Sequence, residues 1–207
     1  MNAAIRRLAG LGATIVENTN IPYIDQVSGP EYTALLSEFK HDIAVYLSTR
    51  PAGPRTLADL IAFNSAHAGE EMPWFGQDVF LAAEQSGPLT DPAYITARRT
   101  ATTLAQRGIN ETLRKYHLTA ILAPTNSPAW TTDLIDGDHF LLGSSTPAAV
   151  SGYASITLPA GYNHQLLIGM SLIAGKFSEP TLIGLAYWWE HATQIRHKPR
   201  LLTSLGQ

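Results

Sequence analysis

Between residues 120 and 193 the sequence switches between two apolar periods, and that switch limits the chain to an α/β fold. Residues 120–123 form a short apolar run stopped by Pro124, and residues 155–158 and 168–173 are two more runs of strand length. The stretch 180–193 is too long for a typical strand and opens with Pro180, so it reads as a helix. Upstream the pattern is mostly helical. Residues 2–11 set Ile5, Leu8 and Ala9 on one face, with Gly10 and Gly12 as a stop, and 13–17 is a strand candidate. Residues 31–47 carry Leu35, Leu36, Phe39, Ile43 and Leu47 as one stripe, with Pro30 near the start. Thr56 followed by Asp59 predicts a capping-box start for a helix over 57–68. Asp91-Pro92 opens the longest helical pattern, which ends near Tyr116 and places Ile95, Leu104, Ile109 and Leu113 on its apolar side. Gly108 lies inside it and weakens it by about 1 kcal/mol relative to alanine.

Strands alternating with helices predict an α/β layer with a partly parallel sheet. The loop 48–55, broken by Pro51, Gly53 and Pro54, is the one internal boundary the sequence offers, and we read residues 1–207 as a single unit across it. A chain of 207 residues suits one domain. Charged residues make up only 15% of it, which leaves room for a surface that meets another surface. Net charge is −3 and no basic block occurs, so no nucleic-acid partner is expected. The absence of cysteine removes disulfides, thiolate metal sites and a cysteine nucleophile. Arg6 and Arg7 interrupt the apolar residues at the N-terminus, and no 18-residue apolar run occurs. The expectation is therefore no signal peptide, no membrane span and a cytoplasmic location.

Four ordered segments carry a resemblance. TLADLIAFNSAHAGEEMPWFGQDVF (56–80), TAILAPTNSPAW (119–130), SSTPAAVSGYASITLPAGY (144–162) and GKFSEPTLIGLAYWWE (175–190) resemble the C-terminal part of the amidase signature family, the serine hydrolases that cleave carboxamides. The similarity is to members of the peptide-amidase kind and to those that serve in glutamyl-tRNA amidotransferase. Gly152, Ile156, Pro159 and Gly161 occupy the places of the family's Gly-x-Pro-x-Ile-x-x-Pro-x-Gly segment, while Ala154 stands where proline is usual. The resemblance implies part of a mixed, largely parallel sheet covered by helices, and no cofactor. It also implies that the nucleophilic serine, the bridging cis-serine and the catalytic lysine belong to an N-terminal half outside this chain. The implied partners are a small-molecule amide in the intact enzyme and either a separate catalytic half or a second copy. On this basis the chain is the C-terminal part of a serine acyl-transfer amidase, inactive alone. The alternative is a remnant without catalysis, serving as a structural or association module.

The residues themselves fit no complete catalytic set. GSSTPAAVSG (143–152) echoes the family's nucleophile loop, but Pro147 and Ala148 stand where its glycine and nucleophile are needed, and the nearest upstream lysine is Lys115 at a helix end. Asp138, His139 and Ser144 or Ser145 offer triad residue types within eight positions, without a Gly-x-Ser-x-Gly elbow. A polar loop with a surface histidine is the simpler reading. His67, Glu70 and Glu71 fall at i, i+3 and i+4, but no second histidine completes a zinc motif, and paired acids of this sort usually form a solvated edge. GLGAT (10–14) lacks the glycine spacing of a phosphate loop. Of Trp188 and Trp189, one is expected in the core with Leu182, Leu185 and Ala186. Ligands in open α/β sheets gather at strand ends. Thr125, Asp138, His139, Ser144, Ser145 and Thr146 are therefore the candidates for a substrate-pocket wall, with no catalytic residue and no metal ligand assigned.

Overall fold

The computed structural model describes residues 1–199. Helices α1 (Asn2–Gly10), α2 (Ser28–Ser48), α3 (Leu57–Ala66), α4 (Ala68–Glu71), α5 (Asp78–Glu84) and α6 (Pro92–Lys115) precede strand β1 (Ile121–Pro124). Helix α7 (Thr146–Ser151), strands β2 (Ser155–Asn163) and β3 (Leu166–Ile173) and helix α8 (Glu179–Thr193) follow. Contacts divide the chain into two units. Of the described residues, the first holds 1–20, 109–133 and 137–199, and the second holds 21–108 with 134–136. The division falls inside α6 rather than at the loop 48–55, because α2 and α3, on either side of that loop, pack on each other and on α5.

The first unit is built on a sheet in the order β1-β3-β2. The expected α/β class holds, but the strand pairs are antiparallel where strand–helix alternation suggested parallel ones. For β2 and β3 the reason is local. Only His164 and Gln165 separate β2 from β3, and two residues can join strands only as a hairpin. His164 takes φ 53°, the left-handed conformation such a turn needs. One face of the sheet is apolar. Leu158, Met170 and Leu172 form a buried cluster with Leu182, Ala186 and Trp189 of α8, and Leu122 and Ile156 pack against it. Trp189 is the expected core tryptophan, and its indole N–H donates to the Pro159 carbonyl at 2.8 Å. Helix α1 adds Ala4 to the same cluster, with Met1 and Leu8 against it. Its inward face therefore runs through positions 1, 4 and 8, while the predicted Ala9 is exposed.

The segment 13–17 is not a strand. Among the described residues it pairs with no strand, and an isolated extended segment has nothing to hold it in a ladder.

The second unit is helical. Thr56 and Asp59 form the predicted capping box. The Asp59 amide donates to Thr56 Oγ1 at 3.1 Å, and the Thr56 amide donates to Asp59 Oδ2 at 3.0 Å. The Arg55 amide is the largest influence on the Asp59 carboxyl, followed by Thr56, and together they hold it below the usual carboxylate range. In α2 the buried positions are Ala34, Ser37 and Leu47. Leu36, Phe39 and Ile43 are half-buried, and Leu35 is exposed. Phe39 meets Phe80 of α5 with ring centroids 5.3 Å apart, and Lys40 pairs with Glu84 at 3.3 Å. In α6 the predicted Ile109 is fully buried and Leu104 and Leu113 are half-buried, while Ile95 is exposed; Ala101, Ala105, Gly108 and Thr112 are buried as well. Glycine suits position 108 because a Cβ there would lie 2.4 Å from the Pro22 carbonyl oxygen. None of the described helices is long and apolar enough to cross a membrane.

Two substitutions test this account in thermal or urea unfolding. Gly108→Ala gains helix propensity, yet we expect a net loss of about 1–3 kcal/mol because the backbone of Pro22 must move. Trp189→Phe keeps most of the apolar surface and strands the Pro159 carbonyl, for an expected loss of about 1–3 kcal/mol; wild-type stability would mean that this hydrogen bond contributes nothing.

Candidate functional site

Strand alternation gives the sheet a second face of a different character. Opposite the apolar cluster, Ala123, Ser171 and Thr157 stand in one cross-strand register row, and Thr125 continues β1 beside Gly169. The Thr125 amide donates to the Gly169 carbonyl at 3.0 Å. Three hydroxyls join across the strands: Thr125 Oγ1 and Ser171 Oγ are 2.9 Å apart, and Ser171 Oγ and Thr157 Oγ1 are 3.3 Å apart. Ser171, at the centre, is 4% exposed. Gly169 makes room for the row, since a Cβ there would come within 2.9 Å of Thr125 Oγ1 and 3.2 Å of Thr157 Cγ2.

Three hydroxyls linked by two hydrogen bonds use two of their three O–H hydrogens. The third stays at one end, on Thr125 or Thr157, when the row runs in one direction, and on Ser171 when both threonines donate to it. The face can thus present an oriented hydroxyl donor at one end and an acceptor at the other. Sequence reasoning singled out Thr125 and missed Ser171 and Thr157. The signal for them is the alternation in Ser-Ile-Thr-Leu (155–158) and Gly-Met-Ser-Leu (169–172), which assigns the polar residues to one face.

The chain brings one of the other candidates to this row. Beyond β1, Asn126 pairs with Gly143 as an isolated antiparallel bridge, and the Ser127 amide donates to the Leu142 carbonyl at 3.2 Å. This sets Ser144 against Thr125: its amide donates to the Thr125 carbonyl at 3.1 Å, and its hydroxyl points to the same oxygen at 3.4 Å. Ser145 is the N-cap residue of α7 without a side-chain cap bond, and Thr146 is the first residue of that helix. Asp138 and His139 are exposed on the intervening loop. His139 Nε2 is 3.1 Å from Asp133 Oδ2, so its nearest acid is Asp133 and not Asp138. The triad types near residue 140 are therefore not assembled: the Ser144 hydroxyl is directed to a carbonyl and the histidine to a different carboxylate.

In the acidic motif of the second unit the histidine is engaged elsewhere. The His67 ring stacks on Phe63 at 4.2 Å, and its Nδ1 lies 2.9 Å from the Phe63 carbonyl. Among the described residues no group of three His, Cys, Asp or Glu side chains could hold a metal ion. His191 stacks on Tyr187 and His197 on Tyr162.

The amidase family model matches residues 1–183. The chain is 34% identical to a probable amidase of Arabidopsis thaliana, over 96% of this chain and 37% of that protein. It is 26% identical to a glutamyl-tRNA(Gln) amidotransferase component of Desulforamulus reducens, over 97% of this chain and 42% of that one. Among solved structures, the native peptide amidase of Stenotrophomonas maltophilia superposes with a TM-score of 0.85 at 38% identity, over 98% of this chain and 41% of its own. The chain thus spans well under half the length of each of these proteins.

The hydroxyl row has a measurable cost of disruption. Ser171→Ala removes the central partner of Thr125 and Thr157, and we expect a loss of about 1 kcal/mol in urea unfolding. A change indistinguishable from zero would show that water replaces the bonds without penalty.

Proposed function

The chain belongs to the amidase family, and on that premise we propose that it is the C-terminal part of an amidase that hydrolyses the C–N bond of a small or peptide carboxamide. The observation that carries the reading is the pairing of a near-complete superposition on a peptide amidase with coverage of only 41% of that protein. The proposed chemistry is acyl transfer through a serine ester, with the nucleophile outside this chain. Support comes from the serines at the start of α7. Ser144 is turned to the Thr125 carbonyl, and the nearby His139 is directed to Asp133 rather than to Ser145. In this reading Thr125, Asp138, His139, Ser144, Ser145 and Thr146 contribute a wall of the acyl pocket rather than its chemistry. The Thr125–Ser171–Thr157 row belongs to the same wall, because its free hydroxyl hydrogen suits an amide carbonyl and its acceptor end an amide N–H.

A second reading, an association module without catalysis, is favoured by exposed apolar side chains such as Phe177, Ile183 and Tyr187. Homologues that work as components of an amidotransferase fit either case.

One experiment separates these readings. Ammonia release is measured on a panel of simple and peptide amides for the chain alone and for a chimera. In the chimera the chain replaces the matching region of the Stenotrophomonas maltophilia peptide amidase. We expect no turnover by the chain alone and clear turnover by the chimera. Turnover by the folded chain alone would put the nucleophile inside it and overturn the proposal. A folded but inactive chimera would favour the association module.

A further inference from the structure

The second unit holds a cavity that none of the preceding chemistry uses. It lies between the end of α3, helix α4 and α5, and has a volume of about 480 Å³, within the usual range of small-ligand sites. Trp74 and Phe75 line it and remain 65% and 69% exposed. Its polar lining is ordered. Gln77 donates through Nε2 to the Ile61 carbonyl at 3.3 Å and to Ser65 Oγ at 3.1 Å, and its Oε1 accepts from Asn64 Nδ2 at 3.2 Å. Asn64 is thereby held with its own carbonyl oxygen left over as an acceptor. Glu71 lines the same cavity and is exposed; its amide donates to the His67 carbonyl, and its carboxylate has no hydrogen-bond or ion-pair partner among the described residues.

The segment that builds this cavity carries charge of one sign. From Thr56 to Ala97 the sequence has no lysine or arginine and six carboxylates: Asp59, Glu70, Glu71, Asp78, Glu84 and Asp91. Asp59 is used in the capping box, Glu84 by Lys40, and Asp91 by the Ala93 amide. That leaves Glu71 and Asp78 on the cavity lining with the aromatic pair. A carboxylate next to exposed aromatic faces favours an organic cation over a neutral or anionic ligand, since both the charge and the ring quadrupole attract it.

We propose that this cavity binds the protonated amino terminus of a short apolar peptide. The ammonium group meets Glu71 and the face of Trp74, the first apolar side chain lies on Phe75, and the Asn64 carbonyl accepts a peptide N–H. A bare metal ion fits poorly, because the walls are aromatic and no three-ligand set is present among the described residues. The site is independent of the amidase reading: it needs neither turnover nor a second catalytic half, and its test reads binding alone.

The test titrates the folded chain with Leu-Phe-amide and with N-acetyl-Leu-Phe-amide, followed by calorimetry and tryptophan fluorescence. We expect saturable binding of the free amine, weakened about tenfold or more by acetylation. Glu71→Gln, an exposed substitution, should bring the free amine to the acetylated level while leaving the acetylated peptide unchanged. Trp74→Leu should weaken both peptides and abolish the fluorescence change. The proposal is overturned if the acetylated peptide binds as well as the amine, if Glu71→Gln has no effect in a protein of unchanged melting temperature, or if the folded wild-type chain binds neither peptide.

Discussion

The first unit depends on the contact between Trp189 and the sheet. A tryptophan buried to 1% exposure brings a large apolar area into the core but must also place its N–H. Here the N–H finds the Pro159 carbonyl, at the point where β2 shifts register against β3 between Pro159 and Gly161. The two features suit each other. Proline supplies no N–H to the ladder, and the irregularity lets its carbonyl turn from the strands to the helix. One hydrogen bond thus fixes where α8 lies along the hairpin. The burial of Leu182, Ala186 and Met170 follows from that placement.

With α8 committed to one face, the opposite face carries the buried Ile121 and Ile173 at one end and small and hydroxyl-bearing residues beside them. Ser171 would be costly to bury without partners, and the strand register provides two. The arrangement is economical in side-chain volume: Gly169, Ala123 and Ser171 are all small, so Thr125 can cross above the sheet and reach Ser171 at 2.9 Å. The same crossing orders the loop beyond β1, because the Thr125 carbonyl receives both the amide and the hydroxyl of Ser144. A long-range contact between residues 125 and 144 therefore rests on the absence of a side chain at residue 169.

Features that depend on a few adjacent residues were legible in the sequence. The Thr56–Asp59 capping box is set by residues three apart, the start of α6 by Asp91-Pro92, and the core role of one tryptophan by the helical period of α8. Features that depend on pairing were less so. Residues 13–17 have a strand composition, but a strand exists only with a neighbour, and none is present among the described residues. The hairpin turn carries His164 at positive φ instead of the usual Asn-Gly, so neither the turn nor the antiparallel pairing announced itself. In α6 the period pointed correctly to Ile109, which is fully buried, but also to Ile95, which is exposed; it gave no sign of the buried Ala101 and Ala105, nor of Gly108, where the Pro22 carbonyl leaves no room for a Cβ. At the candidate site, Thr125 and Ser144 stood out by lying next to predicted strands. Ser171 did not, because its importance comes from what stands across the ladder.

The edges of the sheet bear on the proposed function. Among the described residues β3 alone is flanked on both sides; β1 and β2 each turn one backbone edge away from it. Exposed edges invite pairing, and proteins usually shield them with charge, proline or a covering element. Here Pro124 and Pro159 interrupt the edges, but no Lys, Arg, Asp or Glu lies within β1 or β2. Exposed Tyr162, Leu166 and Leu167 flank the hairpin turn, which gives that end an apolar surface as well. A sheet with weakly protected edges, a hydroxyl-lined face and apolar side chains at its turn has the properties of a part that fits against further structure. The proposed reading supplies that structure from the remainder of an amidase fold, and the association reading from a separate chain; either removes the same unpaired backbone from water.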